Sequence, residues 1–304
     1  MIILQDGALL VRVDPRHGGE ILDLVDCATG RQLLGRPPFA ATKPVAGDLD
    51  EATWTAAYRG GWQLLAPNAG NACVVGGEPH GFHGRASNDP WNVVGVEPTR
   101  VVLRWESQGL QITRVMQLSS GALELRTTFE ARSQRVPFVS VEHCALGLEL
   151  LDPSFEIRLA GGRAYELSET IGPIQPPADA PTWPAVGLLD GSREQGDRGC
   201  LADAFARFFV VADVPVGRAD VVNADRGTGL TLEWDAAILP HVWVWQEMRR
   251  SEGVWRRHGE IVAVEPASIP HSLGLATAIE NDQAHWVEPG RPFVQCVTAR
   301  PWKM

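Results

Sequence analysis

The stretch VVLRWESQGLQITRVMQLSSGALELRTTFEA (Val101–Ala131) decides the fold. In Ala122–Ala131, Leu123, Leu125, Thr127 and Phe129 fall on one face, and Glu124, Arg126, Thr128 and Glu130 on the other. A period of two is the pattern of a half-buried strand. Val101–Trp105 and Gln111–Leu118 precede it, joined through Ser107-Gln108-Gly109 and Ser119-Ser120-Gly121. Short glycine-containing links between such runs form hairpins, so the stretch reads as an antiparallel meander. Ile112–Leu118 is apolar enough to pack on both faces.

Working outward, further strands are expected from Arg12–Val13 onward and at Phe138–Leu150, Phe205–Val214, Ala219–Ala224, Leu230–Trp234, His241–Gln246, Ile261–Glu265, His271–Ala278 and Phe293–Ala299. Arg226-Gly227-Thr228-Gly229 is another hairpin turn. No segment carries an apolar stripe at helical spacing over three turns. Short helices are expected near Leu49–Tyr58 or Leu201–Phe208. So many strands predict an all-β chain folded as a large antiparallel sandwich or barrel. The Pro-rich stretch Gly172–Pro184 has strand patterning on both sides, so it reads as a long loop inside one domain spanning residues 1–304.

The 304 residues are 44% hydrophobic, enough for an ample core. The net charge of −10 argues against nucleic acid or an anionic membrane as partner. No apolar run approaches the roughly 18 residues of a membrane span, and the N-terminus lacks the pattern of a signal peptide. The five cysteines are widely spaced, odd in number and without a CxxC pair, which predicts a reduced, cytoplasmic protein. The sequence is compatible with a homodimer but does not fix the oligomeric state.

The segment Gly60–Trp91, GGWQLLAPNAGNACVVGGEPHGFHGRASNDPW, is rich in chemistry. Its glycines and prolines make poor helix and poor strand. Its tryptophans, asparagines, histidines and arginine suit a sugar, whose C–H face stacks on rings and whose hydroxyls need polar partners. Ordered loops on a rigid scaffold often carry binding sites. The alternative is a structural loop pinned by buried Trp62 and Trp91.

Four other pieces matter: PRHGGEILDL (Pro15–Leu24), VEHCALG (Val141–Gly147), PHVWVWQEM (Pro240–Met248) and IVAVEPAS (Ile261–Ser268). On residue chemistry alone, His143 could be a satisfied core histidine and Glu265 an exposed strand-end carboxylate. Trp243 and Trp245 share one strand face, where either could floor a cleft or both could pack the core. His80, His83, Cys73 and His143 could hold a metal, but HxxH in a Gly-rich loop is a poor template, so no metal is expected. No GxGxxG, P-loop or G-x-S-x-G occurs, so no cofactor is expected either. His17, His241, His258, His271 and His285 read as surface or packing residues.

Taken in order with GGWQLLAPNAG and HGRASNDPW, these pieces resemble the aldose 1-epimerase (galactose mutarotase-like) family over nearly the whole chain. The resemblance implies a β-supersandwich with a sugar site in a cleft on one face. It implies that His143 is the general acid and Glu265 the general base of ring opening. It places His83 of His83-Gly84 as a substrate ligand, with His80-Gly81 a competing match, and Asn68 beside the site. Arg85 stands displaced from the family's arginine position, and Trp245 and Glu247 occupy the region of a hydroxyl-binding aspartate. A carboxylate and an imidazolium suit acid–base work near neutral pH because their pKa values straddle it. The implied substrate is a small-molecule sugar. The alternatives are a non-catalytic sugar-binding or sensing protein, which has no need of both His143 and Glu265, and a lyase or isomerase. The last ranks lowest because Tyr58 and Tyr165 lie in no motif.

Overall fold

The computed structural model describes residues 1–37, 45–167, 172–200, 202–249 and 259–303. Among these residues the chain forms two large sheets, of 12 and nine strands, whose ladders are almost entirely antiparallel. The expected antiparallel sandwich is therefore what the chain adopts.

The meander sits in the nine-stranded sheet as Arg100–Ser107, Leu110–Ser119 and Ala122–Ala131. Its two turns each span two residues with positive φ, Gln108 (51°) and Gly109 (78°), then Ser120 (52°) and Gly121 (71°). Such primed turns match the twist of the strands they join. Leu123, Leu125, Thr127 and Phe129 are buried, while Glu124 and Arg126 face solvent. Leu110–Ser119 also alternates rather than packing equally on both faces. Its inward row Ile112, Arg114, Met116 and Leu118 is fully buried, an arginine included.

That arginine is matched. Arg114 donates two hydrogen bonds to Glu142, at 2.8 and 2.7 Å, from the facing sheet. Trp62 Nε1 and Gln295 Nε2 donate to the same carboxylate at 2.8 and 3.0 Å. A buried ion pair is tolerable only when its remaining hydrogen-bonding capacity is filled, and here it is. The pair ties the two sheets together directly beneath His143.

The 12-stranded sheet carries its second hydrophobic layer on its outer side. Helices Glu51–Ala57 and Gly274–Glu280 and the chain after Leu65 cover it. Several sequence expectations are corrected. His271–Ala278 is not a strand, because Gly274–Glu280 is helical, with Leu275 and Ala278 buried one turn apart. Phe138–Leu150 breaks at Gly147 into strand Val141–Leu146 and helix Leu148–Leu151. No helix covers 202–208: Phe205–Ala212 is a strand paired with His241–Met248, where its aromatic residues pack. Leu201 lies outside the described residues. Gly60–Trp91 is not structureless, since Trp62–Leu65 is a buried strand and Cys73–Val75 and Glu78–His80 form a hairpin.

Candidate active site

Four adjacent strands of the larger sheet place one residue each in a single row. Gln63 is the direct cross-strand partner of His143. The register pairing Val141 with Ala267 and Cys144 with Val264 puts His143 opposite Glu265. Glu265 in turn pairs with Trp243. Directly opposed residues share a face, and Glu142 points the other way into the sandwich, so this row looks outward.

A cavity of about 630 Å³ opens over the row. Trp243, Trp245 and Glu247 of one strand line it, as do Phe208, His143 and Glu265 from neighbouring strands. Helix Glu51–Ala57 supplies Trp54, and Tyr58 follows at its end. Asp50 caps that helix, its side chain accepting from Thr53 N–H at 2.7 Å. Gly70, Asn71, Phe82 and His83 close another side.

His143 Nε2 lies 3.7 Å from Glu265 Oε1, and both side chains are about 95% or more buried. Neither His143 Nδ1 nor Glu265 Oε2 has a hydrogen-bond partner. Burial pulls His143 down to about 4, opposed by its own backbone carbonyl. Burial pushes Glu265 well above the usual carboxylate range. Each group thus favours its uncharged form, so the pair holds one proton between them. Burial, with the Glu265 charge adding, also raises the Tyr58 hydroxyl well above its ordinary value.

His83 is built into the wall. Its backbone, at φ 60°, donates to Gly70 O, and its Nδ1 accepts from Gly70 N–H, both at 3.0 Å. A neutral ring accepting at Nδ1 must carry its proton on Nε2. Burial, then the nearby His143, holds it well below the ordinary histidine value, in that neutral form. Trp54 meets its ring edge-on at 4.5 Å between centroids. Gly84 follows because a Cβ there would lie 2.4 Å from Ala66 O.

The other sequence candidates stand elsewhere. His80 is buried in the hairpin opposite Cys73, off the cavity lining. Asn68 is wholly buried, and its amide is spent on protein: Nδ2 donates to Asn71 O and Gly81 O, and Oδ1 accepts from Leu275 N–H at 2.7 Å. It fastens the wall to helix Gly274–Glu280 and has no polar atom left for a sugar. Arg85 turns away, its Nε donating to Asp89 at 3.0 Å, beside a separate shallow depression at Trp105 and Glu106. His17, His241 and His271 are buried and His285 half-buried, none on the cavity, and His258 lies outside the described residues. Trp62 and Trp91 are indeed buried, so the Gly60–Trp91 segment is part framework and part wall.

The sequence reading missed Trp54, Tyr58, Phe82, Phe208 and Gln63. A signal existed for the first two, since Trp54 and Tyr58 stand four apart on a capped helix and so share its face. Among the described residues no three His, Cys, Asp or Glu side chains gather as a metal-holding group, and no helix is long and apolar enough to cross a membrane.

No family model and no curated protein matches the chain. Solved structures match it along its length. The Slr1438 protein of Synechocystis sp. PCC 6803 is 16% identical with a TM-score of 0.70, covering 100% of this chain and 96% of that one. A galactose mutarotase related enzyme from Lactobacillus acidophilus is 13% identical with a TM-score of 0.67, covering 99% and 97%. A galactose mutarotase-like protein from Lactobacillus casei is 15% identical with a TM-score of 0.65, covering 99% and 100%. At such identities the likeness is one of fold, and the fold of this chain is the galactose mutarotase-like sandwich.

Proposed function

We propose that the protein is a cofactor-independent aldose 1-epimerase that interconverts the α and β anomers of a free sugar. The observation that carries this reading is the His143–Glu265 pair, 3.7 Å apart at the floor of an aromatic-walled cavity.

The pair's single proton suffices for the reaction. With the proton on His143, the Glu265 carboxylate removes the proton from the anomeric hydroxyl. The C1–O5 bond breaks, and His143 Nε2–H protonates the ring oxygen. The products are an open-chain aldehyde, a Glu265 carboxylic acid and a neutral imidazole. That uncharged state is the one burial favours, so the site is matched to the intermediate. After rotation about C1–C2, the aldehyde oxygen takes the proton back from Glu265 and His143 recovers its own, closing the ring with the opposite hand. Each such acid or base typically contributes about two to four orders of magnitude. Trp54, Tyr58 and Trp245 offer faces for the sugar's C–H surface, and His83 Nε2–H a donor for a hydroxyl.

Polarimetry of freshly dissolved α-anomers, over a panel of free aldoses and their 6-phosphates, tests the reading. Faster anomerisation of at least one free aldose is expected. The second reading, a sugar-binding protein without turnover, is favoured by the same burial if the pair stays uncharged with sugar bound. Calorimetric binding of an aldose without any change in its rate of rotation would establish that instead.

A further inference from the structure

We infer that Gln63 is a positioning residue, holding His143 as the tautomer with its proton on Nδ1 so that Nε2 alone trades protons. Two buried polar atoms on neighbouring strands lack partners: Gln63 Oε1 and His143 Nδ1. Their residues are direct cross-strand partners on the same face of the sheet. Opposed residues have Cβ atoms about 4.5–5.5 Å apart, within reach of a glutamine and an imidazole.

The amide can be turned only one way. Gln63 Nε2 donates to Gly60 O at 2.7 Å and to Glu20 Oε2 at 3.1 Å. Both partners are acceptors only, so the nitrogen is fixed there and Oε1 is the acceptor left over. Glu20 is fixed in its turn, because Arg59 bridges it to Asp14. The register Asp14 with Glu20, and Ile21 with Trp62, extends the catalytic row to Asp14, Glu20, Gln63, His143 and Glu265. Asp14, Glu20 and Gln63 are each buried. This row gives the Pro15–Leu24 motif, whose turn leads into Glu20, a use that the acid–base pair alone does not supply.

A buried donor without an acceptor is costly, so a rotation of the His143 ring that joins the two orphans is favoured. With Nδ1–H given to Gln63, Nε2 carries a lone pair toward Glu265 in the resting protein and a proton when His143 acts as acid. The same hydrogen bond supports the imidazolium against the penalty of burial.

The role rests on the epimerase reading, but the tautomer does not, and the two are measured separately. Long-range ¹H–¹⁵N correlation spectra of the intact protein, with His143 assigned by comparison with His143→Asn, show which ring nitrogen is protonated. A protonated Nδ1 is expected, and in Gln63→Met a shift toward the Nε2–H form or a mixture. The same variant should lose about 10- to 100-fold in kcat with KM nearly unchanged, the scale on which losing the partner that orients a metal-ligating histidine lowers activity. A wild-type spectrum with the proton on Nε2 overturns the proposal even if Gln63→Met does not fold. So does a folded Gln63→Met with wild-type spectrum and turnover. A correct tautomer in a protein that turns over no aldose would sink the epimerase reading and leave the hydrogen bond standing.

Discussion

His143 Nε2 stands 3.7 Å from Glu265 Oε1, and the two side chains spring from neighbouring central strands whose spacing the sheet sets. Strand spacing varies little, about 4.7–4.9 Å in the hydrogen-bonding direction, and a reacting pair on such strands keeps its geometry without a loop to order it.

Removing either partner should therefore affect chemistry without disturbing the scaffold. Glu265→Gln and His143→Asn are each expected to lower kcat at least about a hundredfold, with circular dichroism unchanged. Near-wild-type turnover in one of them would take that residue out of the mechanism.

Stability should fall on acidification. His17, His143 and His241 are each held by burial at about 4, below the ordinary value of 6.5. A histidine depressed in the folded state stabilises fully above pH 6.5, and that contribution is lost as pH falls toward 4. Each can account for up to about 3 kcal/mol. Urea midpoints should drop steadily between pH 7 and 4.5, and less steeply in His17→Phe. Glu265 acts in the opposite sense, since its raised value is most favourable in acid and costs stability as pH rises. Glu265→Gln should therefore gain stability relative to wild type at pH 8 more than at pH 5. A constant difference across that range would contradict the buried-acid assignment.

The ion pair beneath the site predicts a non-additive pair of substitutions. Arg114→Met leaves Glu142 buried and unmatched, which should cost about 3–5 kcal/mol in chemical denaturation. Adding Glu142→Leu should recover a large part of that loss. Equal and additive losses would mean that the two residues do not interact as their 2.7 Å contact implies.

Residues of the Gly60–Trp91 segment should separate by role. His83→Ala is expected to lower kcat/KM by about one to two orders of magnitude through loss of a hydroxyl partner worth about 1–3 kcal/mol. Asn68→Ala should instead lower Tm, because three of its hydrogen bonds join backbone segments. Arg85→Ala should leave kcat/KM unchanged for neutral and phosphorylated sugars alike. A selective loss with 6-phosphates would place Arg85 at the cavity after all.

The meander was legible because one side of each strand meets water, which writes a period of two into Ala122–Ala131. His143 and Glu265 came from motif resemblance, since nothing local separates them from packing residues. The row joining Gln63, His143 and Glu265 could not be read, because register between strands far apart in sequence leaves no local trace. Asn68 misled because an amide serves a sugar hydroxyl or two backbone carbonyls equally well, and only the fold shows which are near. The chain at His271–Ala278 misled for a related reason. Its helix is closed from a distance, by Asn68 Oδ1 accepting from Leu275 N–H, 207 positions away.

The reacting groups stand on the sheet, whereas much of the wall around them comes from helix Glu51–Ala57 and the Gly70–His83 segment. Chemistry and recognition are therefore carried by parts that can change independently. Exchanging Trp54, Tyr58 or Phe82 would reshape the ligand's surroundings without altering which strands lie beside which. A chain built this way can acquire a new substrate by drift in its covering segments while inheriting its proton-transfer apparatus intact.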